Sequence, residues 1–327
     1  MKLISLKEQA DRSADFCAFP GSMKPEHVQF VLSLRFPLES EAFIFEHDGK
    51  NIGRVLLQAS TLSKEDGHFG LFYLHPDHKD LFPQIWDACQ KWFKQKSIKK
   101  VTGPYIYTTF FPYRFRYDQD QKNYPWEPTP FHDQLSLFLS NGFGINQMYF
   151  SNFLPDYGVF ETKGTKELEE ATRQGFSHRI ISLESLKSDI KDIYQLSMKG
   201  FTDNHLFAPI PFELFENLYL SSFKDIDLRL ACMQYDPQGK AIGFNFTFFD
   251  GEQIVIKTVC VDPDYRGKGL LNAGIRYSML QAFKHYPNIK KVATALIHED
   301  NGPSKHVANQ TQNRLRHEYV LLEKGIQ

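Results

Sequence analysis

The alternation of hydrophobic and polar residues predicts two β-hairpins in widely separated parts of the chain. Their strands are Ala42–Glu46 with Ile52–Gln58, and Leu228–Tyr235 with Ala241–Phe249. The first pair is separated by Asp48 and Gly49, and the second by a turn that contains Pro237 and Gly239. Glycine accepts the positive φ that tight turns require, so both clusters favour a reversal of the chain between two strands.

Each hairpin is followed by an apolar strand, a helix and a further strand. These strands are Phe69–Leu74 and Lys99–Gly103 after the first hairpin, and Ile254–Val261 and Lys290–Ile297 after the second. Between them, apolar side chains recur at helical spacing on one face: Phe82, Ile85, Trp86, Cys89, Trp92 and Phe93, and then Leu271, Ile275, Met279, Ala282 and Tyr286. A strand–helix–strand unit implies a parallel pair of strands covered by the connecting helix.

The two units are related as an internal repeat. The segment Gly49–Gly53 is echoed 190 positions later by Gly239–Gly243, and Tyr73–Asp77 is echoed 187 positions later by Cys260–Asp264. We therefore predict an α/β protein with two tandem domains, each a mixed central sheet flanked by helices. The expected domains are residues 1–155 and 178–327, and residues 156–177 are the expected connector.

Composition and charge narrow the possible partners. Hydrophobic residues make up 42% of the 327 residues and charged residues 24%, as in ordinary globular proteins. The formal net charge of −1 argues against a protein that coats nucleic acid. Four scattered cysteines suit reduced thiols, and no stretch approaches the ~20 apolar residues of a membrane span. We expect a cytoplasmic protein with no membrane partner, no nucleic acid and no metal.

The two copies differ where the strand meets the helix. The second copy has Arg266, Gly267, Lys268, Gly269, Leu270 and Leu271 at this position. Glycines let backbone N–H groups turn toward a ligand, and the helix N-terminus adds positive potential, so this loop suits a phosphate or pyrophosphate. The alternative is a helix-capping turn with solvated basic side chains. The sequence of this loop matches neither a Walker loop nor a dinucleotide-binding fingerprint. In the fingerprint, the third glycine would fall on Asn272.

The corresponding loop of the first copy has lost these features. Residues 79–83 read Lys-Asp-Leu-Phe-Pro, so both glycines are replaced and an acidic side chain enters. Pro83 also removes one N–H donor from the first helical turn. We expect an anionic ligand to bind only to the second copy.

The segment Val259–Leu270 resembles motif A of the GNAT acetyltransferases, in which a hydrophobic strand precedes V-x-P and R-x-x-G-x-G/A. Ile297–Ser304 is similar to motif B, a strand followed by N-x-x-[AS]. The whole chain resembles bacterial tandem-GNAT proteins whose N-terminal copy is degenerate. The matching segments include Ile52–Arg54, His68–Phe72, Val101–Pro104, Leu137–Phe143 and Ile193–Asn204.

This resemblance implies acetyl-CoA, or another acyl-CoA, as the co-substrate. In GNAT enzymes it lies in a notch between two splayed parallel strands, so the main chain of Val259 and Val261 is expected to contact the pantetheine. The N–H groups of residues 266–271 are expected to hold the pyrophosphate, with charge added by the side chains of Arg266 and Lys268. Asn301 is expected to reach the co-substrate from the next strand. Leu271 stands where most members have Gly or Ala, which adds bulk beside the pyrophosphate.

The catalytic groups are less well defined. In the family, one position often carries a tyrosine that acts as the acid, and in this chain that position is Ala308. Either another residue protonates the thiolate, with Tyr319 as a remote candidate, or the thiolate leaves without a proton. Glu252 and Glu299 are candidate bases at strand ends, where solvated charges are also common. Asp203 and Asn204 follow a predicted helix where this fold places acceptor-binding loops; the alternative is a C-terminal cap.

The leading hypothesis is an acyl-CoA-dependent N-acyltransferase that transfers an acetyl group directly to a small-molecule or peptide amine in a ternary complex. One alternative is an aminoacyl-tRNA-dependent transferase of the Fem type, which shares the tandem fold. The other is a non-catalytic regulator that binds acyl-CoA. The glycine loop and the net charge of −1 argue against tRNA as the donor.

Overall fold

The computed structural model describes residues 1–34, 39–60, 62–120, 122–224, 226–302 and 315–326. Its strands are Lys2–Ser5 (β1), Ser40–His47 (β2), Lys50–Ala59 (β3), Asp66–Leu74 (β4), Lys100–Gly103 (β5), Phe115–Arg116 (β6), Gly144–Leu154 (β7), Ser177–Ile180 (β8), Cys232–Tyr235 (β9), Ala241–Phe249 (β10), Ile254–Val261 (β11), Val292–His298 (β12) and Leu315–Gly325 (β13). Its α-helices are Ser13–Ala18 (α1), Pro25–Ser33 (α2), Phe82–Gln95 (α3), His132–Ser140 (α4), Thr165–Arg173 (α5), Leu183–Gly200 (α6), Phe212–Ser222 (α7) and Leu270–His285 (α8).

The chain divides into two compact units. Unit 1 comprises Met1–Tyr149 together with His317–Gln327, and unit 2 comprises Phe150–Arg316. The sequence placed residues 178–327 in one domain, whereas the end of β13 pairs with β5 and β6 in unit 1. The expected connector, residues 156–177, contains the helix α5 in unit 2.

In unit 1 the strand order is β1-β2-β3-β4-β5-β13, followed by the first part of β7. Asp48 and Gly49 adopt φ of 50° and 75°, so the predicted β2–β3 hairpin turn is confirmed. The helix α3 buries the predicted apolar face. Its aromatic rings form one core with Phe69, Phe138 and Leu322.

In unit 2 the strand order is β8-β9-β10-β11-β12, followed by the second part of β7. The predicted helix and the flanking strands are confirmed as β11, α8 and β12. The predicted strand Leu228–Tyr235 is shorter than expected, because Leu228–Leu230 forms a 3₁₀ turn. The side chain of Asp227 caps that turn by accepting a hydrogen bond from the N–H of Arg229.

Equivalent positions of the two units have the same backbone contacts. The N–H of His75 donates to the carbonyl of Ile52, and the N–H of Asp262 donates to the carbonyl of Ile242, both at 2.8 Å. β4 and β5 are paired in parallel through Asp66–His68, and β11 and β12 through Ile254–Ile256. The internal repeat seen in the sequence is therefore a repeat of structure. Among the described residues, no helix is both long enough and apolar enough to cross a membrane.

Candidate functional site

Strands β11 and β12 of unit 2 separate after a short parallel ladder. Ile254–Ile256 pairs with Val292–Thr294, while the two strands continue to Val261 and His298. The register between β10 and β11 shifts at Lys257, which is a bulge in β11. Because a bulge bends its strand, β11 turns away from its partner at this point. The result is an opening between two parallel strands at their C-terminal ends.

The glycine loop lies at the end of β11, directly before α8. Gly267 and Gly269 adopt φ of 81° and 76°, a region that side chains other than glycine rarely occupy. A Cβ atom added at Gly267 would meet no atom within 4 Å, so the loop has room on this side. The helix α8 begins at Leu270, and the N–H groups of a first helical turn lack intrahelical partners. Such a loop suits an anionic group.

Two cationic side chains accompany the loop. Arg266 is 52% exposed; it donates to the carbonyl of Gly200 at 3.1 Å and lies 3.9 Å from the carboxylate of Asp203. The ammonium group of Lys268 lies 5.0 Å from the centre of the Tyr265 ring. The structure therefore brings Asp203 beside the loop, while Asn204 lies exposed in the next position of the same turn.

The loop is fixed to α6 by an ion pair that the sequence analysis missed. The ammonium group of Lys199 lies 2.6 Å from Asp262 and 2.6 Å from Asp264. Burial is the largest single influence on the pKa of Asp262 and would raise it, but the hydrogen bonds from Lys199 and from the N–H of Asp264, together with the nearby positive charges, outweigh burial and the pKa is lowered. Asp262 also caps the 3₁₀ turn Pro263–Tyr265 by accepting from the N–H of Asp264. The end of β11 is therefore held in place from two directions.

An acidic side chain that the sequence analysis missed lies against the loop. A Cβ atom added at Gly269 would lie 2.9 Å from Cγ of Glu167, a residue of α5. The Glu167 carboxylate accepts a hydrogen bond of 3.1 Å from the side chain of Asn272. Carboxylates are stabilised at helix N-termini, so Glu167 has a favourable place at the start of α8. It also places a negative charge beside the loop.

The predicted apolar residues of the site pack inward. Val259 and Leu271 are half-buried against the core that contains Ile275 and Met279. Val261 is half-buried against a second cluster of the same unit. The side chain of Leu271 thus packs with the core at the start of α8.

Comparisons with known proteins agree with this geometry. The family model described as acetyltransferase (GNAT) family matches residues 190–311. Those residues contain β11, the glycine loop, α8 and β12. Residues 190–311, a little more than a third of the chain, are therefore similar to the GNAT family.

Solved structures extend the likeness to the whole chain as a fold. A probable N-acyltransferase from Enterococcus faecalis V583 has a TM-score of 0.59 at 10% identity, over 99% of this chain and 72% of that one. A tandem GNAT protein from the clavulanic acid biosynthesis pathway has a TM-score of 0.56 at 11% identity, over 100% of this chain and 98% of that one. The chain therefore has the tandem GNAT fold.

One curated protein was matched over a shorter segment. Protein YghO of Escherichia coli (strain K12) is 27% identical over 109 residues, and the match covers 28% of this chain and 28% of that protein. The match thus spans little more than a quarter of the length of the curated relative.

Unit 2 has further polar residues at the C-terminal end of β12. Glu299 accepts a hydrogen bond of 2.8 Å from Arg316. His298 accepts at Nδ1 from the N–H of Asp300, and its ring lies 6.5 Å from the ring of His205. Asn301 is exposed, and its N–H donates to the carbonyl of His298. Ala308 falls in the segment 303–314, outside the described residues.

The two remaining catalytic candidates lie elsewhere. Glu252 precedes β11, at the end opposite the glycine loop, and its carboxylate accepts from Lys291 at 2.9 Å. Tyr319 belongs to unit 1, where it is buried and its hydroxyl donates to Glu127. Strand β11 therefore places Glu252 at the end away from the glycine loop. Among the described residues, no three His, Cys, Asp or Glu side chains converge as metal ligands would.

Unit 1 has a different structure at the equivalent of the glycine loop. The 3₁₀ segment Pro76–Leu81 runs directly into α3, with Pro83 in the first turn of that helix. The N–H of Tyr105, two residues beyond β5, still donates to the carbonyl of Phe69 in β4 at 2.8 Å. The chain after β5 thus stays beside β4.

Proposed function

We propose that the protein is an acyl-CoA-dependent N-acyltransferase, with acetyl-CoA as donor and a small-molecule or peptide amine as acceptor. The observation that carries this proposal is the loop of unit 2, where two glycines of positive φ precede α8 at the open end of β11. An anion-binding backbone beside a separated parallel pair suits a long ligand with a phosphate group. The GNAT family match of the same residues supports this interpretation.

The residues present fit the donor. There is open space beside Gly267, and Arg266 and Lys268 supply positive charge for the pyrophosphate, although the N–H of Arg266 itself already donates to the carbonyl of Pro263. Val259 and Val261 offer main-chain groups along β11 to the pantetheine, and Asn301 stands exposed after β12. When bound, the thioester supplies an activated acyl group whose thiolate is a good leaving group. We propose that unit 1 does not bind this donor, since it has lost the glycine loop.

The protein must also remove a proton from the attacking amine. Glu299 is the better placed of the two predicted bases, because it follows the C-terminal end of β12, whereas Glu252 precedes β11. Its ion pair with Arg316 orients the carboxylate. We propose Glu299 as the base and the turn of Asp203 and Asn204 as part of the acceptor site. Catalysis then depends on positioning and on this proton transfer.

A titration of acetyl-CoA followed by calorimetry tests the donor site. We expect the wild-type protein to bind about one molecule per chain, and Gly267→Asp to weaken binding by at least tenfold, through roughly 1.4 kcal/mol or more of charge repulsion and lost N–H contacts. The matched control is Gly239→Asp. Gly239 also has a positive φ and no atom within 4 Å of an added Cβ, but it lies in the β9–β10 turn.

The outcomes separate the alternatives. If Gly239→Asp weakens binding as much as Gly267→Asp, the loss reflects folding and the glycine loop is not the site. If the wild-type protein does not bind acetyl-CoA, the tRNA-dependent or regulatory function replaces this proposal. If binding is confirmed, release of CoA thiol in the presence of a panel of amines excludes a purely regulatory role, and binding without release across the panel supports one.

A further inference from the structure

Unit 1 contains a pocket beside the strands that correspond to β11 and β12. It is lined by Gly70, Leu71 and Phe72 of β4 and by the segment Pro104–Ile106 that follows β5. Its empty volume is about 550 Å³, part of which is open to solvent. The first copy has thus lost the glycine loop but retains a cavity at the equivalent strands.

A buried cation forms one wall of this pocket. Arg54 is 1% exposed, and its guanidinium group donates to the main-chain carbonyls of Phe16, Pro20 and Leu71. These three bonds leave two of its five N–H groups for another acceptor. Within the described residues, its partners include no carboxylate. Burial lowers the pKa of Arg54 to about 10, which reflects the cost of placing an uncompensated charge in the interior.

The fold itself does not require a cation at this position. Arg54 follows Gly53, and in the repeat of unit 2 the residue after Gly243 is Phe244, which is completely buried. An apolar ring therefore serves the same place in the second copy. The cation of the first copy has a cost in stability that the matched position avoids, and a ligand that neutralises the charge would offset this cost.

A second cationic side chain, that of Arg114, lines the same pocket, and its backbone is strained. Arg114 adopts φ of 85°, a conformation that is unfavourable for a side chain of its size. Its guanidinium group packs against the rings of both Tyr113 and Tyr149, 3.9 and 3.8 Å from their centres, and it contacts the Tyr113 hydroxyl. Its Nε is buried without a hydrogen-bond partner in the described structure. The aromatic rings thus fix the orientation of a guanidinium group that retains unused donors.

The rest of the lining is apolar or aromatic. Five of the described lining residues are aromatic: Phe72, Tyr105, Tyr113, Phe115 and Phe131. No Asp or Glu is among the described lining residues. We propose that this pocket binds a small organic carboxylate, whose anionic end is held by Arg54 and Arg114 and whose apolar body packs on the aromatic rings. Arginine suits this role because its planar group matches the geometry of a carboxylate. This site is independent of the donor site proposed for unit 2.

Calorimetric titration with matched acids and amides tests this proposal. The probes are benzoate, phenylacetate and hexanoate, each compared with its own primary amide. We expect at least one acid to bind at one site per chain and its amide to bind at least about tenfold more weakly, since the amide keeps the shape but lacks the charge. Arg114→Gln should weaken binding of that acid by about tenfold or more. Arg173→Gln, which removes an exposed arginine of α5, should leave it unchanged.

Three results would overturn the proposal: no acid binds more tightly than its amide, Arg114→Gln binds as tightly as the wild-type protein, or the acids compete with acetyl-CoA. Circular dichroism in the near ultraviolet checks the fold of each variant. If Arg114→Gln is unfolded, Arg114→Lys is tested instead, because lysine keeps the charge but lacks the planar guanidinium group. Partly weakened binding of the acid to Arg114→Lys supports the site, and full affinity refutes it. The titrations with acids and amides do not depend on acetyl-CoA, so a failure of acetyl-CoA to bind would not affect their outcome.

Discussion

The carboxylate of Glu167 lies beside a loop whose backbone suits an anion. The negative charge of Glu167 would therefore repel an anionic ligand bound to this loop. We expect Glu167→Gln to raise the affinity for acetyl-CoA by about fivefold, because a repulsion of about 1 kcal/mol is removed while the oxygen that accepts from Asn272 is kept. Calorimetry of the variant measures the change. Glu169→Gln, an exposed acid on the same helix, is the control. Weaker binding by Glu167→Gln would mean that the carboxylate supports the loop.

His178 gives unit 2 a sensitivity to acid. Its ring stacks on Tyr277 at 5.0 Å, and burial lowers its pKa from 6.5 to about 4. Since the unfolded chain binds a proton at higher pH than the folded one, stability is complete above about pH 6.5 and falls as the pH approaches 4, by up to about 3 kcal/mol. We expect His178→Phe to flatten this part of the pH profile of unfolding, measured by denaturant titration. His27→Asn, at an exposed position, should not flatten it.

The individual residues of the candidate site differ in how far the sequence alone predicts them. Arg266, Gly267 and Gly269 were found because they are adjacent in the chain and form a local motif. Glu167 was missed, because its partner Asn272 is 105 positions away and α5 lies in a segment that was interpreted as a connector. Arg316, the partner of Glu299, was missed because it lies on a different strand, 17 positions further along the chain. Contacts between distant segments leave no local pattern in a single sequence.

At the scale of elements, one glycine in each copy is fixed by the packing of two strands. A Cβ atom at Gly53 would lie 2.3 Å from the carbonyl oxygen of Tyr73, and one at Gly243 would lie 2.7 Å from that of Cys260. We expect Gly53→Ala and Gly243→Ala each to lower the free energy of unfolding by about 2 kcal/mol or more, since backbone must move. Gly144→Ala in β7, where an added Cβ meets nothing within 4 Å, should change it little. Equal effects of all three, measured by denaturant titration, would contradict this explanation.

Hairpins and helices with clear periodicity were predicted well, because turn residues and apolar faces act within one element. The 3₁₀ turn Leu228–Leu230 was predicted as strand, since its apolar residues resemble a strand and its cap depends on the side chain of Asp227. The pocket of unit 1 was not predicted at all. Arg54 and Arg114 are 60 positions apart, and only the fold brings them to one cavity.

At the scale of the whole molecule, the chain returns to its first unit at its end. Leu322 pairs with Gly103 and Tyr319 pairs with Arg116, so β13 extends the sheet of unit 1. Val320 and Leu322 are completely buried in the core of that unit. A repeat in the sequence reveals two similar units, but it does not indicate which unit receives the last strand. That assignment depends on pairing between β13 and the strands β5 and β6, about 200 positions earlier in the chain.

This topology gives Tyr319 a structural setting in unit 1. Its hydroxyl donates to Glu127, whose carboxylate also contacts His317 at 2.8 Å and Arg116 at 3.4 Å, and all four side chains are buried. We expect Tyr319→Phe to lower the free energy of unfolding by about 1–2 kcal/mol, the cost of losing a buried hydrogen bond to a charged group, without changing kcat for acyl transfer. Denaturant titration and steady-state kinetics on the same preparation measure both quantities.

The opposite pattern would assign Tyr319 to the chemistry. A proton donor to the leaving thiolate acts in the transition state, so its loss would lower kcat by about 10²-fold or more and leave stability largely unchanged. Glu127→Gln provides the second arm, because it alters the same buried network from unit 1 without touching the tyrosine. If both variants lose stability and keep kcat, β13 serves to complete unit 1, and the proton needed by the thiolate must come from solvent or from unit 2.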